Sequence, residues 1–237
     1  MTAVDVWTAP LDVGPPTLEL LVASLSAAER ARAARFRFPD DARRFSAARG
    51  WLRHVLGAEL DTSPARVPLT DGSGKPRLRG RPGPCCNLSH ARELALIAVA
   101  DREVGVDVEH ADAGVRALEV ATVAFTPTEA AALGRLAPAD RADAFLCRWT
   151  AKEAYLKARG LGLALPPGLV EVGTAPGGAA SPVRVTGAAE PSRWWVRQLR
   201  PAPGYVGAVA AEGPGWDVRL RPATEVLLDA VAGGVGP

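Results

Sequence analysis

The sequence predicts an α+β fold made of two similar halves, and three observations carry that prediction. A helix-start signature, Ser26-Ala27-Ala28-Glu29, recurs at position 126 as Thr126-Pro127-Thr128-Glu129. In each, the hydroxyl and the glutamate three residues later can satisfy two backbone N–H groups left open at a helix start. Phe45, Arg49 and Trp51 are then echoed by Phe145, Arg148 and Trp149 at nearly the same offset. Short apolar runs with strand character accompany both helical stretches, so each half reads as helices packed on a small, mainly antiparallel sheet. The halves are expected at 1–103 and 104–237, as a pseudo-dimer in one chain.

The elements follow in order. A short strand is expected around Val4 to Trp7, ended by Pro15-Pro16, and a helical stretch begins at Thr17. Phe45, Leu52 and Leu56 sit at helical spacings and predict a second helix from about Asp40 to Leu56. From Asp61 to Pro84 the chain is rich in Pro, Gly and Arg and reads as loop with brief extended pieces. Leu94 to Ala100 and Val104 to Val108, joined by Asp101-Arg102-Glu103, read as an antiparallel hairpin. Pro127 at the first helical position favours a helix after Thr126. After Gly160 come strands at Val183 to Val185, Trp194 to Leu199, Val206 to Ala210 and Trp216 to Leu220, with a small-residue tail near 231–237 expected to fray.

Composition narrows the class. The 237 residues are 48% hydrophobic and 23% charged, an ordinary globular balance, and a net charge of +2 gives no reason to expect a nucleic-acid partner. Arg30, Arg32, Arg35, Arg37, Arg43, Arg44, Arg49 and Arg53 crowd one stretch, as a solvated helical surface or as a site for a multiply anionic ligand or acidic partner. Cys85, Cys86 and Cys147 fit neither a disulfide framework nor a zinc spacing. No signal peptide is read at the start, and Leu94 to Ala100, the longest apolar run, is too short to span a membrane. A soluble cytoplasmic protein is expected.

Chemistry concentrates at three carboxylates. Along a strand through Val104 to Glu109, Val104, Val106 and Val108 point to one face while Gly105, Asp107 and Glu109 point to the other. Two like charges about 7 Å apart on one face repel unless a cation intervenes; the alternative is a solvated strand end beside His110. On the helix that follows, Phe145, Trp149, Glu153 and Leu156 share one face, which puts Glu153 in the apolar stripe. An ion pair with Lys157 alone would not explain that position; a third ligand for an ion held by Asp107 and Glu109 would. Oxygen ligation favours Mg²⁺, or Mn²⁺, with substrate phosphates filling the remaining positions. Gly74-Lys75-Pro76, the segment Asn87-Leu88-Ser89-His90 ahead of the hairpin, and Lys152 and Lys157 flanking Glu153 supply candidate phosphate partners.

Together these segments resemble the Sfp-type 4′-phosphopantetheinyl transferases. The resemblance rests on Gly74-Lys75-Pro76, Asn87-Leu88-Ser89-His90, Gly105-Val106-Asp107-Val108-Glu109 and Trp149-Thr150-Ala151-Lys152-Glu153-Ala154-Tyr155-Leu156-Lys157, followed by Gly160-Leu161-Gly162-Leu163. It covers roughly residues 20–170 and extends loosely to about 220. It implies transfer of 4′-phosphopantetheine from coenzyme A to a serine of an acyl, peptidyl or aryl carrier protein, releasing adenosine 3′,5′-bisphosphate. By the same resemblance, Asp107, Glu109 and Glu153 hold Mg²⁺ and Lys157 binds the pyrophosphate. Gly74, Lys75, Pro76, Ser89 and His90 help hold coenzyme A, and Arg44 and Arg32 grip its 3′-phosphate. Glu29 stands where some relatives carry a basic residue, and Cys86 replaces an aromatic one. The catalytic set is then Asp107, Glu153 and Lys157, with the serine proton taken by Glu153 or by a metal-bound water. A monomer is implied, since the paired halves supply each other's interface. Two other readings compete: a Mg²⁺-dependent phosphohydrolase, and a non-catalytic coenzyme A-binding module.

Overall fold

The computed structural model describes residues 3–70, 74–80, 83–112, 117–160, 162–173, 179–186 and 193–228. Leu161 and the expected tail at 231–237 lie outside them. Strand β1 (Ala3–Pro10) leads into helices α1 (Pro15–Ala23), α2 (Ala27–Ala33) and α3 (Pro39–Glu59), then β2 (Cys85–Ala91) and β3 (Leu94–Ala100). The plan repeats with β4 (Val104–His110), α4 (Ala117–Ala124), α5 (Pro127–Gly134) and α6 (Pro138–Arg159). Strands β5 (Val170–Val172), β6 (Ser181–Val185), β7 (Trp194–Leu199), β8 (Tyr205–Glu212) and β9 (Asp217–Pro222) complete it.

Both capping boxes form, at Ser26/Glu29 ahead of α2 and at Thr126/Glu129 ahead of α5. In each half the capping glutamate also receives a cation from the long helix. Glu29 pairs with Arg49 at 2.6 Å and Arg53 at 2.5 Å, and Glu129 pairs with Lys152 at 2.6 Å.

A four-stranded sheet has the order β2-β3-β1-β9, and a five-stranded sheet the order β4-β8-β7-β6-β5. Within them β2-β3-β1 and β7-β8-β4 are matching antiparallel sets. The molecule is therefore layered helix, sheet, sheet, helix. Trp7, Ala9 and Ile97 of the first sheet pack on Trp51, Leu52 and Val55 of α3. Its other face, with Val4, Val6, Leu96 and Ala98, meets Val104, Val106, Val108 and Val209 of the second sheet. Ala208 and Ala210 on the far face of that sheet pack on Ala151, Ala154 and Tyr155 of α6.

One expectation is overturned. Leu94–Ala100 and Val104–His110 are not a hairpin: β3 pairs with β1 and β2, and β4 pairs with β8. Both runs are buried on both faces over most of their length, so each needs a covered sheet of its own, and residues 101–103 carry the chain from one sheet to the other. Glu103 fixes that crossing by pairing with Lys75 and Arg77. Strand β9, late in the sequence, runs parallel to β1 and so joins the first-half sheet. Asn87-Leu88-Ser89-His90 precedes β3 as expected and is itself part of a strand, β2.

Candidate active site

The site forms where three elements converge: the edge of β2, the edge of β4 and the last turns of α6. Gly105 sets the spacing. A Cβ there would fall 2.2 Å from the Ala154 carbonyl oxygen and 2.3 Å from the Ala158 nitrogen, so only glycine lets α6 lie this close to β4. As strand alternation predicts, Asp107 then faces α6 while its valine neighbours face the other sheet.

Asp107 is buried, with 4% of its surface exposed, and has two partners on one oxygen. Lys157 Nζ donates to Asp107 Oδ1 at 2.6 Å, and Ser89 Oγ donates to the same atom at 2.9 Å. Lys157 also donates to Ser89 Oγ at 2.8 Å, closing a three-residue cluster across both sheets and the helix. The other oxygen, Asp107 Oδ2, is buried without a partner. Burial holds the Asp107 carboxyl above its ordinary value against the pull of Lys157. Glu109 and Glu153 are raised as well, first by burial and then by the charge of Asp107. The charge of Lys157, and then the polar edge of the Trp149 side chain, partly offset this at Glu109.

A divalent cation fits these donors. They are oxygens only, they repel one another, and one of them is a buried orphan. They are neighbours that do not converge: among the described residues no three His, Cys, Asp or Glu side chains form a ready metal cage. Lys157 instead supplies the positive charge beside Asp107.

The remaining expected residues divide. His90 presents surface to solvent, yet desolvation of its ring, followed by the charges of Lys157 and Arg44, holds its pKa below the ordinary value. Lys157 and Arg44 are the cations whose charge reaches the His90 ring and favours its neutral form. Arg44 Nε and Nη2 grip Asp12 at 3.0 and 2.8 Å, and Nη2 reaches Glu93 at 3.4 Å. Arg32, on α2, lies over the Phe45 ring of α3. Lys75 donates to Glu103 and to the Ala158 carbonyl at the end of α6, so its ammonium ties the 74–76 loop to the second half. Pro76 lines a cleft of about 210 Å³ with Lys75, Arg77, Cys85, Cys86 and Glu103. No described atom comes within 4 Å of a Cβ placed on Gly74.

Lys152 is a correction. It is wholly buried, pairs with Glu129, donates to the carbonyls of Ala124 and Pro167, and lies over the Phe125 ring. One residue along a helix turns a side chain by about 100°. Lys152 accordingly points into the core beneath α4 and α5 while Glu153 faces β4. It cannot neutralise a phosphate beside Glu153. Sequence reasoning also missed two contributors. Asn87 accepts from the Val106 N–H at 2.9 Å, and Trp149 serves Glu109. The one available signal was that each carries a polar group inside an apolar stretch.

The 4'-phosphopantetheinyl transferase superfamily model matches residues 103–210, which take in β4, α6 and the strands that follow. The 4'-phosphopantetheinyl transferase HetI of Nostoc is 38% identical over 222 residues, covering 92% of this chain and 91% of its own. The chain belongs to this family. The 4'-phosphopantetheinyl transferase Sfp of Bacillus subtilis is 28% identical over 198 residues, 83% of this chain and 86% of its own. A solved holo-[acyl-carrier-protein] synthase from Thermotoga maritima superposes on 48% of this chain and 64% of its own, with a TM-score of 0.37 and 20% identity. As a 4'-phosphopantetheinyl transferase, the chain is an enzyme that moves phosphopantetheine to carrier proteins. The phosphohydrolase and the non-catalytic module give way to that assignment. No helix among the described residues is long and apolar enough to cross a membrane.

Proposed function

We propose that coenzyme A is the donor and that Asp107, Glu109 and Glu153 bind Mg²⁺, with Mn²⁺ as a substitute, against its pyrophosphate. The observation that carries this reading is the cluster of Ser89, Asp107 and Lys157, assembled from two sheets and one helix around a buried carboxylate with a free oxygen. When bound, the cation would neutralise pyrophosphate charge and stabilise the leaving group.

The protein's own groups do the rest. Lys157, within reach of both Asp107 and Ser89, would bind a pyrophosphate oxygen with its ammonium. His90 offers its ring as a hydrogen-bonding group for coenzyme A, and Arg44 and Arg32 supply positive charge to the 3′-phosphate. Glu153 takes the proton of the carrier serine as the serine oxygen bonds to phosphorus and the bond to adenosine 3′,5′-bisphosphate breaks. Gly74, Lys75 and Pro76 shape the loop beside the nucleotide. Lys152 is left out of the phosphate site. We place the enzyme in the cytoplasm as a monomer, acting on an acyl, peptidyl or aryl carrier protein without nucleic acid or membrane.

The test incubates the protein with coenzyme A, an apo carrier protein and Mg²⁺, and weighs the carrier. A mass gain equal to phosphopantetheine, lost when the cation is chelated, is expected. Free coenzyme A failing as donor on several apo carriers, or undiminished transfer after chelation, would contradict the reading.

A further inference from the structure

The outer edge of β4 points to one more residue. β4 ends its sheet, and its far side pairs with β8 alone. A buried edge N–H still requires an acceptor. Val106 is wholly buried, and its N–H donates to Oδ1 of Asn87, which is itself 3% exposed. One side chain thus satisfies an edge group that a neighbouring strand would otherwise take. In the first half the matching strand β1 is treated differently, because β9 pairs along it from Ala3 to Thr8.

We infer that Asn87 is a positioning residue for the transfer reaction. It pins β4 at the residue before Asp107, which holds the Asp107 carboxylate against Ser89 and Lys157. It does so with one side chain rather than a strand, so the edge beside the carboxylates stays open to a ligand. Ser89, two residues along β2 and on the same side, completes the hold from Asp107's own oxygen. The inference rests on the reading of Asp107 as a cation ligand given above, and its test separates the two.

In the wild-type protein, hydrogen exchange of the Val106 amide, followed by NMR, should be as slow as for amides bonded between β4 and β8. Exchange as fast as that of a solvent-facing edge amide would overturn the inference, whether or not any variant folds. Asn87→Ala should raise the Mg²⁺ concentration for half-maximal thermal stabilisation about tenfold, and Asn87→Asp, which keeps an acceptor oxygen, should return it to within about threefold. The same alanine variant should lower kcat while leaving KM for the carrier within about twofold. A Mg²⁺ midpoint unchanged in Asn87→Ala would make the residue merely structural and overturn the inference. If the wild type shows no Mg²⁺ response, the cation reading falls with the inference that rests on it, even if Val106 is protected.

Discussion

β1 and β4 hold matching places in the two halves and carry opposite chemistry. Each leads its half, pairs antiparallel with the last strand of its three-strand set, and faces the long helix of that half. Toward α3, β1 presents Trp7 and Ala9 to an apolar core, and its free edge is filled by β9. Toward α6, β4 presents Gly105, Asp107 and Glu109, and its edge is held by Asn87. The capping glutamates repeat faithfully, each anchoring a cation of the long helix. What differs is the seam between leading strand and helix. A repeated frame can thus be kept by its caps and core while one seam is filled with apolar groups and the other lined with carboxylates.

The predictions follow that contrast from the largest effect to the smallest. Asp107→Ala and Glu153→Ala should each lower transfer on the order of 100- to 1,000-fold in a carrier mass assay, the scale for removing a group that stabilises charge in the transition state. Both should keep a cooperative unfolding transition. Trp7→Phe in the first half should leave the rate within about twofold, because Trp7 packs in the apolar core against α3. Gly105→Ala should cost about 3 kcal/mol in chemical denaturation, since its methyl meets α6 backbone rather than a movable side chain. It should also slow transfer by pushing α6 and Lys157 from Asp107.

A smaller effect belongs to Glu29→Gln. Burial works to raise the Glu29 carboxyl, but the Ser26 N–H and the cations of Arg49 and Arg53 outweigh it and leave the pKa below its ordinary 4.5. A depressed carboxyl contributes stability that is present above the unfolded value and is lost as pH falls through the folded one. The variant should therefore be about 2–3 kcal/mol less stable at neutral pH, and the gap should narrow as pH drops below that ordinary value. A gap that widens in acid would contradict the pairing.

Much of this was legible in the residues. The capping boxes at Ser26 and Thr126 form as read, because the cap and its glutamate are local and need no tertiary partner. The alternation in β4 put Asp107 and Gly105 on one face because strand period is fixed by the backbone. The hairpin failed for the opposite reason. Two apolar runs joined by three residues satisfy the hairpin pattern, and which sheet each enters depends on partners distant in sequence. β9 returning to β1 is unreadable on the same ground. Lys152 was misplaced because adjacency to Glu153 was taken as proximity to the site, where helix geometry turns it into the core. Asn87 was within a recognised motif, but its bond to Val106 depends on how two sheet edges meet.

Lys152 and Lys157 offer the most direct test of the central claim that chemistry belongs to the seam of β2, β4 and α6. Transfer per folded molecule, measured by carrier mass alongside thermal unfolding, should separate Lys157→Met from Lys152→Met. Lys157→Met should lose on the order of 100-fold in rate per folded molecule, together with some stability, because Asp107 is likewise left buried without its cation. Lys152→Met should lose about 3 kcal/mol of stability, because Glu129 stays buried without its partner, and keep a rate within a few-fold where it remains folded. The reverse pattern, or equal losses of rate in both, would contradict the account.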